Sequence, residues 1–181
     1  MISTEQLNEL RFPIGKFHWP TASLSSVERE VAVNIVARTP SDLRLAVAGL
    51  SPAQFDTPYR PDGWTVRQVV HHLADSHMNA YVRFKLALTE DEPTVKPYEE
   101  ALWAKLSDVK ETQADVSLNL LVALHIRWVN LLRSLGDGEY ARTLRHPEHG
   151  KIRLDQLLAM YAWHGSHHVA HITSLRRRSG W

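Results

Sequence analysis

The stretch "LDQLLAMYAWHGSHHVAHITSLRRR", residues 154–178, decides the fold. Successive side chains on a helix step about 100° around its axis. On that wheel Leu154, Leu157, Leu158, Tyr161, Ile172 and Leu175 form one apolar stripe, the pattern of a helix with one side in a core. Within it, "HGSHHVAH" (164–171) carries His164, His167, His168 and His171. His168 falls near the middle of the stripe, and His164 and His171 on one edge of the same face. His167 lies roughly 110° from the stripe centre and is expected to face away. Arg176, Arg177 and Arg178 complement the negative end of the helix dipole.

Working outward, three more segments repeat the helical pattern. From Ser26, the residues Val27, Val31, Ile35, Val36, Leu43, Leu45, Val47 and Leu50 recur at helical spacing, and Pro40 predicts a kink or break among them. Thr65 followed by Gln68 predicts a capping box. It opens a helix with the stripe Val66, Val69, Val70, Leu73, His77, Ala80, Tyr81, Phe84 and Leu88, ended by Pro93 and Pro97. A third helix is expected over about 114–135, with Leu118, Leu121, Val122, His125, Trp128, Val129 and Leu132 inward and Gly136 as its stop. "LSPAQFDTPYRPDGW" (50–64) reads as a loop, and "YEEALWAKL" (98–106) as a short helix across a connection. "YARTLRHPEHGKIRL" (140–154) reads as extended chain with a turn at "PEHG". Residues 1–25, with Pro13, Gly15 and Pro20, read as an irregular arm. No repeat or linker divides the 181 residues. The pattern predicts one all-α domain over 1–181, an antiparallel four-helix bundle.

Composition narrows the function. Hydrophobic residues make up 44% and charged residues 23%, an ordinary globular balance. A formal net charge of +1 supplies no field for gripping nucleic acid or an anionic membrane, so neither is expected as a partner. The chain has no cysteine, which excludes disulfides, a thiolate ligand and a cysteine nucleophile. Any thiol chemistry must arrive with a substrate. "MISTEQLNEL", with Glu5 and Glu9, does not read as a signal peptide. No apolar run of about 18 residues predicts a membrane span. A cytoplasmic protein is expected.

One buried histidine is commonplace, but three on one apolar face each need a partner, and a metal satisfies several at once. His164 and His168 stand one turn apart, the separation at which two imidazoles share a cation. Gly165 occupies the position where a zincin protease carries glutamate, so that pattern is not met. A further ligand is expected from another helix. "VVHHLADSH" (69–77) offers His71 and His72, which flank the stripe equally and which the wheel does not separate. His77 lies on the stripe, where a structural role is expected. Asp75 stands one turn beyond the pair and is a candidate to touch the metal or orient a ligand. His125 is expected to line the same cavity, because bundles build sites from facing helices.

"DTPYRPDGWTVRQVVHHLADSHMNAYVRFKLALTE" together with "YAWHGSHHVAHITSLRRRSGW" resembles the YfiT proteins of the DinB superfamily, from "FPIGKF" to the last tryptophan. The family is described as metal-dependent hydrolases and, for its best-known member, as a bacillithiol S-transferase. The resemblance implies an up-down-down-up four-helix bundle and one divalent metal per chain on three histidines. Carried over by position, these are His72, His164 and His168. The position of His171 is often glutamine in the wider superfamily, which implies a role beside the metal rather than on it. The resemblance also implies a homodimer, in keeping with Trp19, Trp103 and Trp181, which lie in arms or at a terminus.

Three imidazoles leave an open position on a divalent ion, as catalytic sites do. Zinc or nickel fits this donor set before manganese or iron. Two chemistries follow. A low-molecular-weight thiol, deprotonated at the metal, attacks a small-molecule electrophile; or metal-activated water hydrolyses a substrate. The absence of cysteine suits the first, since no protein thiol competes for the metal. A non-catalytic metal-binding stress protein is the reading of a different class.

Overall fold

The computed structural model describes residues 3–181, in the order α1 (Thr4–Arg11), α2 (Ser26–Val47), α3 (Pro52–Phe55), α4 (Val66–Thr89), α5 (Glu100–Trp103), α6 (Ser107–Glu111), α7 (Ala114–Arg133), α8 (Asp137–Tyr140), β1 (Thr143–His146), β2 (Gly150–Arg153) and α9 (Leu154–Ser179). Capping boxes open the helices where side chains satisfy orphan amides: Ser3 with Gln6, Ser25 with Glu28, and Thr65 with Gln68. α9 stops at Gly180, whose φ of 71° is the left-handed conformation that glycine adopts without penalty. The turn expected at "PEHG" joins β1 to β2 in an antiparallel hairpin.

Hydrogen bonds between helices give their directions. Along α4 and α7 the contacts rise together, His71 to Ser117 and His77 to His125, so these neighbours are parallel. Between α4 and α9 they run in opposite senses, from His72 to His164 and from Arg83 to Tyr161. Between α2 and α7 they also oppose: Asn34 meets Arg133 and Arg44 meets Asn119. α2 and α9 rise together, from Leu24 bonded to Asp155 up to Ala46 bonded to Arg176. The bundle is therefore up-down-down-up. A uniformly antiparallel arrangement is corrected: long connections carry the chain across the bundle and allow parallel neighbours.

The apolar interior is split in two. One cluster gathers Val36, Phe84, Trp128, Leu132, Leu157 and Tyr161; the other gathers Leu43, Val70, Leu73, Leu121, Ile172 and Leu175. On each long helix inward polar or special residues lie between the two clusters: Thr39 and Pro40, His77, His125, and His164 to His168. A layer of histidines crosses the bundle at this level.

The structure corrects expectations for the arm and for the inward sides of α2 and α7. Residues 4–11 of the supposed irregular arm form α1; Met1 and Ile2 lie outside the described residues. Of the kink or break expected at Pro40, the break does not occur: α2 runs through it. The inward side of α2 is Ala32, Val33, Val36, Leu43, Ala46 and Val47, whereas Val27, Val31 and Leu45 are exposed. On α7, Val122 is also exposed. That helix reaches a mean hydropathy of 1.2 over an 18-residue window, yet Leu118, Leu121, Trp128 and Leu132 face the bundle interior.

Candidate metal centre

Three helical histidines converge in the polar layer. One ring nitrogen each from His72, His164 and His168 lie within 4.8 Å of one another. The Nε2 atoms of His72 and His164 are 3.3 Å apart. His72 comes from α4 and the other two from successive turns of α9, so rigid elements fix all three. Gly165 makes room for this. A Cβ there would sit 2.8 Å from both the methyl and the hydroxyl of buried Thr39, so only glycine lets α9 approach α2 this closely. Trp64 covers the group, tilted against His72 with centroids 4.6 Å apart and parallel to His168 at 6.2 Å.

Electrostatics favours neutral rings. Burial holds His72 at a pKa of about 4. It pushes His164 and His168 well below the ordinary value, helped by repulsion from neighbouring histidines. Neutral imidazole is the form that binds metal. The Nδ1 of His168 is buried without a hydrogen-bond partner. Neutral rings with one nitrogen each within 4.8 Å, two of them facing Nε2 atoms, are what a cation would satisfy, so the residues fit a divalent metal.

The remaining candidates divide. His71 turns to Ser117, 2.7 Å away, which separates it from His72. Asp75 stays outside the ligand cluster; burial first, and then repulsion from Asp108, raise its pKa to about 6. His171 lines the chamber over the three rings, stacked on Tyr59 at 3.9 Å, and its Nε2 donates to the Arg11 carbonyl at 3.1 Å. His125 does not line that chamber. It lies behind it, 2.8 Å from His77, which reaches His164 at 3.4 Å. His167 does not face away as expected: it is buried, lines the same chamber as the three rings and lies 5.3 Å from the His168 ring. Trp163 stacks on it at 4.3 Å and Phe12 covers it, because the N-terminal arm docks on that side of α9. Sequence reasoning missed Trp64 and the partners of His77. A second close group, His146, Glu148 and His149, sits at the hairpin tip, where Glu148 and His149 are exposed.

The family model described as the DinB superfamily matches residues 35–172. This chain belongs to the DinB superfamily. A protein of Bacillus cereus named "putative metal-dependent hydrolase" is 51% identical over 175 residues, covering 97% of this chain and 100% of that protein. A Bacillus mycoides protein with the same description is 49% identical over 178 residues, again across 97% and 100% of the two chains. Among solved structures, YfiT of Bacillus subtilis superimposes with a TM-score of 0.92 at 48% identity, over 96% of this chain and 99% of that one. YfiT is described as "a probable metal-dependent hydrolase with an unusual four-helix bundle topology". The parallel neighbours found here agree with such a topology.

Proposed function

We propose that the chain is a metal-dependent enzyme that transfers a low-molecular-weight thiol of the bacillithiol type to a small electrophile, with His72, His164 and His168 holding one divalent ion, zinc or nickel. The observation that carries a two-substrate reaction is a pair of chambers meeting at one ligand. A chamber of about 400 Å³ is walled by Arg11, Tyr59, Arg60, Trp64, His72 and His168. Another of about 410 Å³ is walled by Arg83, Tyr98, His149 and Tyr161. His164 and Glu100 line both. A bound divalent ion would lower the pKa of a thiol or water so that the nucleophile forms near neutral pH. The sulfur then bonds to the electrophilic carbon, the leaving group departs with the bonding pair, and the thiol proton goes to solvent or a base.

The chain's own groups supply placement. Arg11 and Arg60 offer cationic donors to an anionic group on one substrate, and Trp64 shields the rings from bulk water. In the other chamber Arg83 donates to the Tyr161 hydroxyl at 3.2 Å, and burial raises the pKa of Tyr98 and Tyr161, which keeps both phenols protonated as donors. Hydrolysis is the second reading, favoured by the names of the relatives. Single-turnover assays with a model electrophile, at fixed free metal, with and without a thiol panel, decide between them. Turnover only with thiol is expected; equal rates in both arms would refute transfer.

The same reading takes the chain as a homodimer, since Trp19 and Trp181 remain 36% exposed and Val27 and Val31 more so. Sedimentation at the single-chain mass of 20.7 kDa would refute it.

A further inference from the structure

Behind the three ligand rings runs a chain of hydrogen bonds whose directions are forced from its far end. It starts with a proline. Pro40 has no amide hydrogen, so the carbonyl of Val36, four residues back in α2, lacks its helical partner. His125 Nδ1 lies 2.8 Å from that oxygen. A carbonyl only accepts, so His125 carries its proton on Nδ1. His125 is buried and neutral, with its pKa held at about 4 chiefly by desolvation, so its Nε2 is bare. That atom is 2.8 Å from His77 Nδ1, which must donate to it. His77 is fully buried and likewise neutral, so its Nε2 is bare in turn and accepts from His164 Nδ1, at 3.4 Å the longest link. The neutral His164 ring is left with a bare Nε2, and this is the atom that faces His72.

We infer that His77 and His125 are positioning residues for the metal centre: anchored on the carbonyl that Pro40 frees, they lock His164 in the Nδ1–H tautomer and aim its Nε2 lone pair at the cation. This deepens the metal reading proposed above and rests on it. A ligating histidine whose other nitrogen donates to a fixed acceptor is held in orientation and made more basic. Here that acceptor is itself a histidine, and only the backbone oxygen at the far end breaks the symmetry between the two tautomers. Free histidine prefers the opposite, Nε2–H form, so the arrangement is measurable before any metal is added.

Long-range ¹H–¹⁵N correlation spectra of the metal-free, ¹⁵N-labelled chain read each ring's tautomer. His77, His125 and His164 are all expected as Nδ1–H; an Nε2–H ring at His77 or His164 would overturn the inference. In the His125→Leu variant His77 loses its acceptor, His164 is expected to relax toward Nε2–H, and zinc affinity to fall about tenfold, the lower range for such outer partners. The His125→Gln side chain can donate to Val36 and accept from His77, and is expected to recover most of both. Unchanged zinc affinity in a folded His125→Leu chain would also overturn the inference. A wild-type chain that shows the three tautomers but binds no divalent cation would instead refute the metal reading.

Discussion

Acid should unfold the metal-free chain well before its carboxylates titrate, and the histidine layer sets the size of the effect. Burial holds His72, His125 and His171 at pKa values of about 4, and burial together with neighbouring histidines holds His167 at about 3. In the unfolded chain each ring returns to about 6.5. Above that value neither state binds the proton. Below it only the unfolded chain does, so stability is intact at pH 7 and drains away as pH falls from 6.5 toward 4. At pH 5.5 each ring costs about 1.4 kcal/mol and the four together about 6 kcal/mol. His77, His164 and His168, pushed down further still, add to this. Asp75, raised to about 6 by burial, works in the opposite direction but offsets less than one ring. Against a typical domain stability of about 5–15 kcal/mol, most of the fold's margin is gone near pH 5.5. The assay is urea unfolding with a chelator present at pH 7, 6 and 5.5, followed through the fluorescence of fully buried Trp128. The midpoint should fall steeply, and saturating zinc at pH 7 should raise it. An unchanged midpoint between pH 7 and 5.5 would refute the claim that these rings are buried neutral.

Other substitutions test the rest of the site. Alanine at His72, His164 and His168 together should abolish metal retention after gel filtration, measured by elemental analysis, whereas His149→Ala at the hairpin tip should leave about one ion per chain. Gly165→Ala should lower stability, because overpacking against Thr39 costs about 1–3 kcal/mol while better helix propensity returns at most about 1 kcal/mol. In a Thr39→Ala background the same change should become stabilising, and calorimetry reads the reversal of sign. Pro40→Ala returns an amide to the Val36 carbonyl in competition with His125. Its melting temperature should rise while zinc affinity falls severalfold; a chain with both unchanged would show that Pro40 has no such influence.

The four-residue spacing of His164 and His168 lies within one helix, and so it was visible in the sequence. So was the capped start of α4. What could not be read depends on contacts between distant segments. The wheel turned His167 away from the core, but nothing local reveals that Phe12 and Trp163 would cover it and bury it in the chamber wall. The phase of α2 was misread for a physical reason. Its inward side uses Ala32, Thr39 and Ala46, small enough for close approach to α9, while the larger Val27, Val31 and Leu45 lie outside. The choice of His72 over His71 needed either the family resemblance or Ser117, which draws His71 off. Pro40 was legible as an irregularity, but its use was not. The carbonyl it releases gains meaning only when α7 brings His125 to it.

The split between rigid helices and the segments joining them bears on how such a protein can change over time. All three candidate ligands sit on α4 and α9, but the walls in front of them are largely borrowed from connections. Phe12 comes from the segment that follows α1, Tyr59, Arg60 and Trp64 from the stretch before α4, Tyr98 from the crossover after it, and His149 from the hairpin; Arg11 is the last residue of α1. Loops tolerate substitution and insertion far better than packed helices do. Drift in these segments can therefore redraw what enters the two chambers while the three-histidine centre is inherited unaltered. Exchanging whole connections between relatives is then a direct route to new ligand preferences on an unchanged histidine layer.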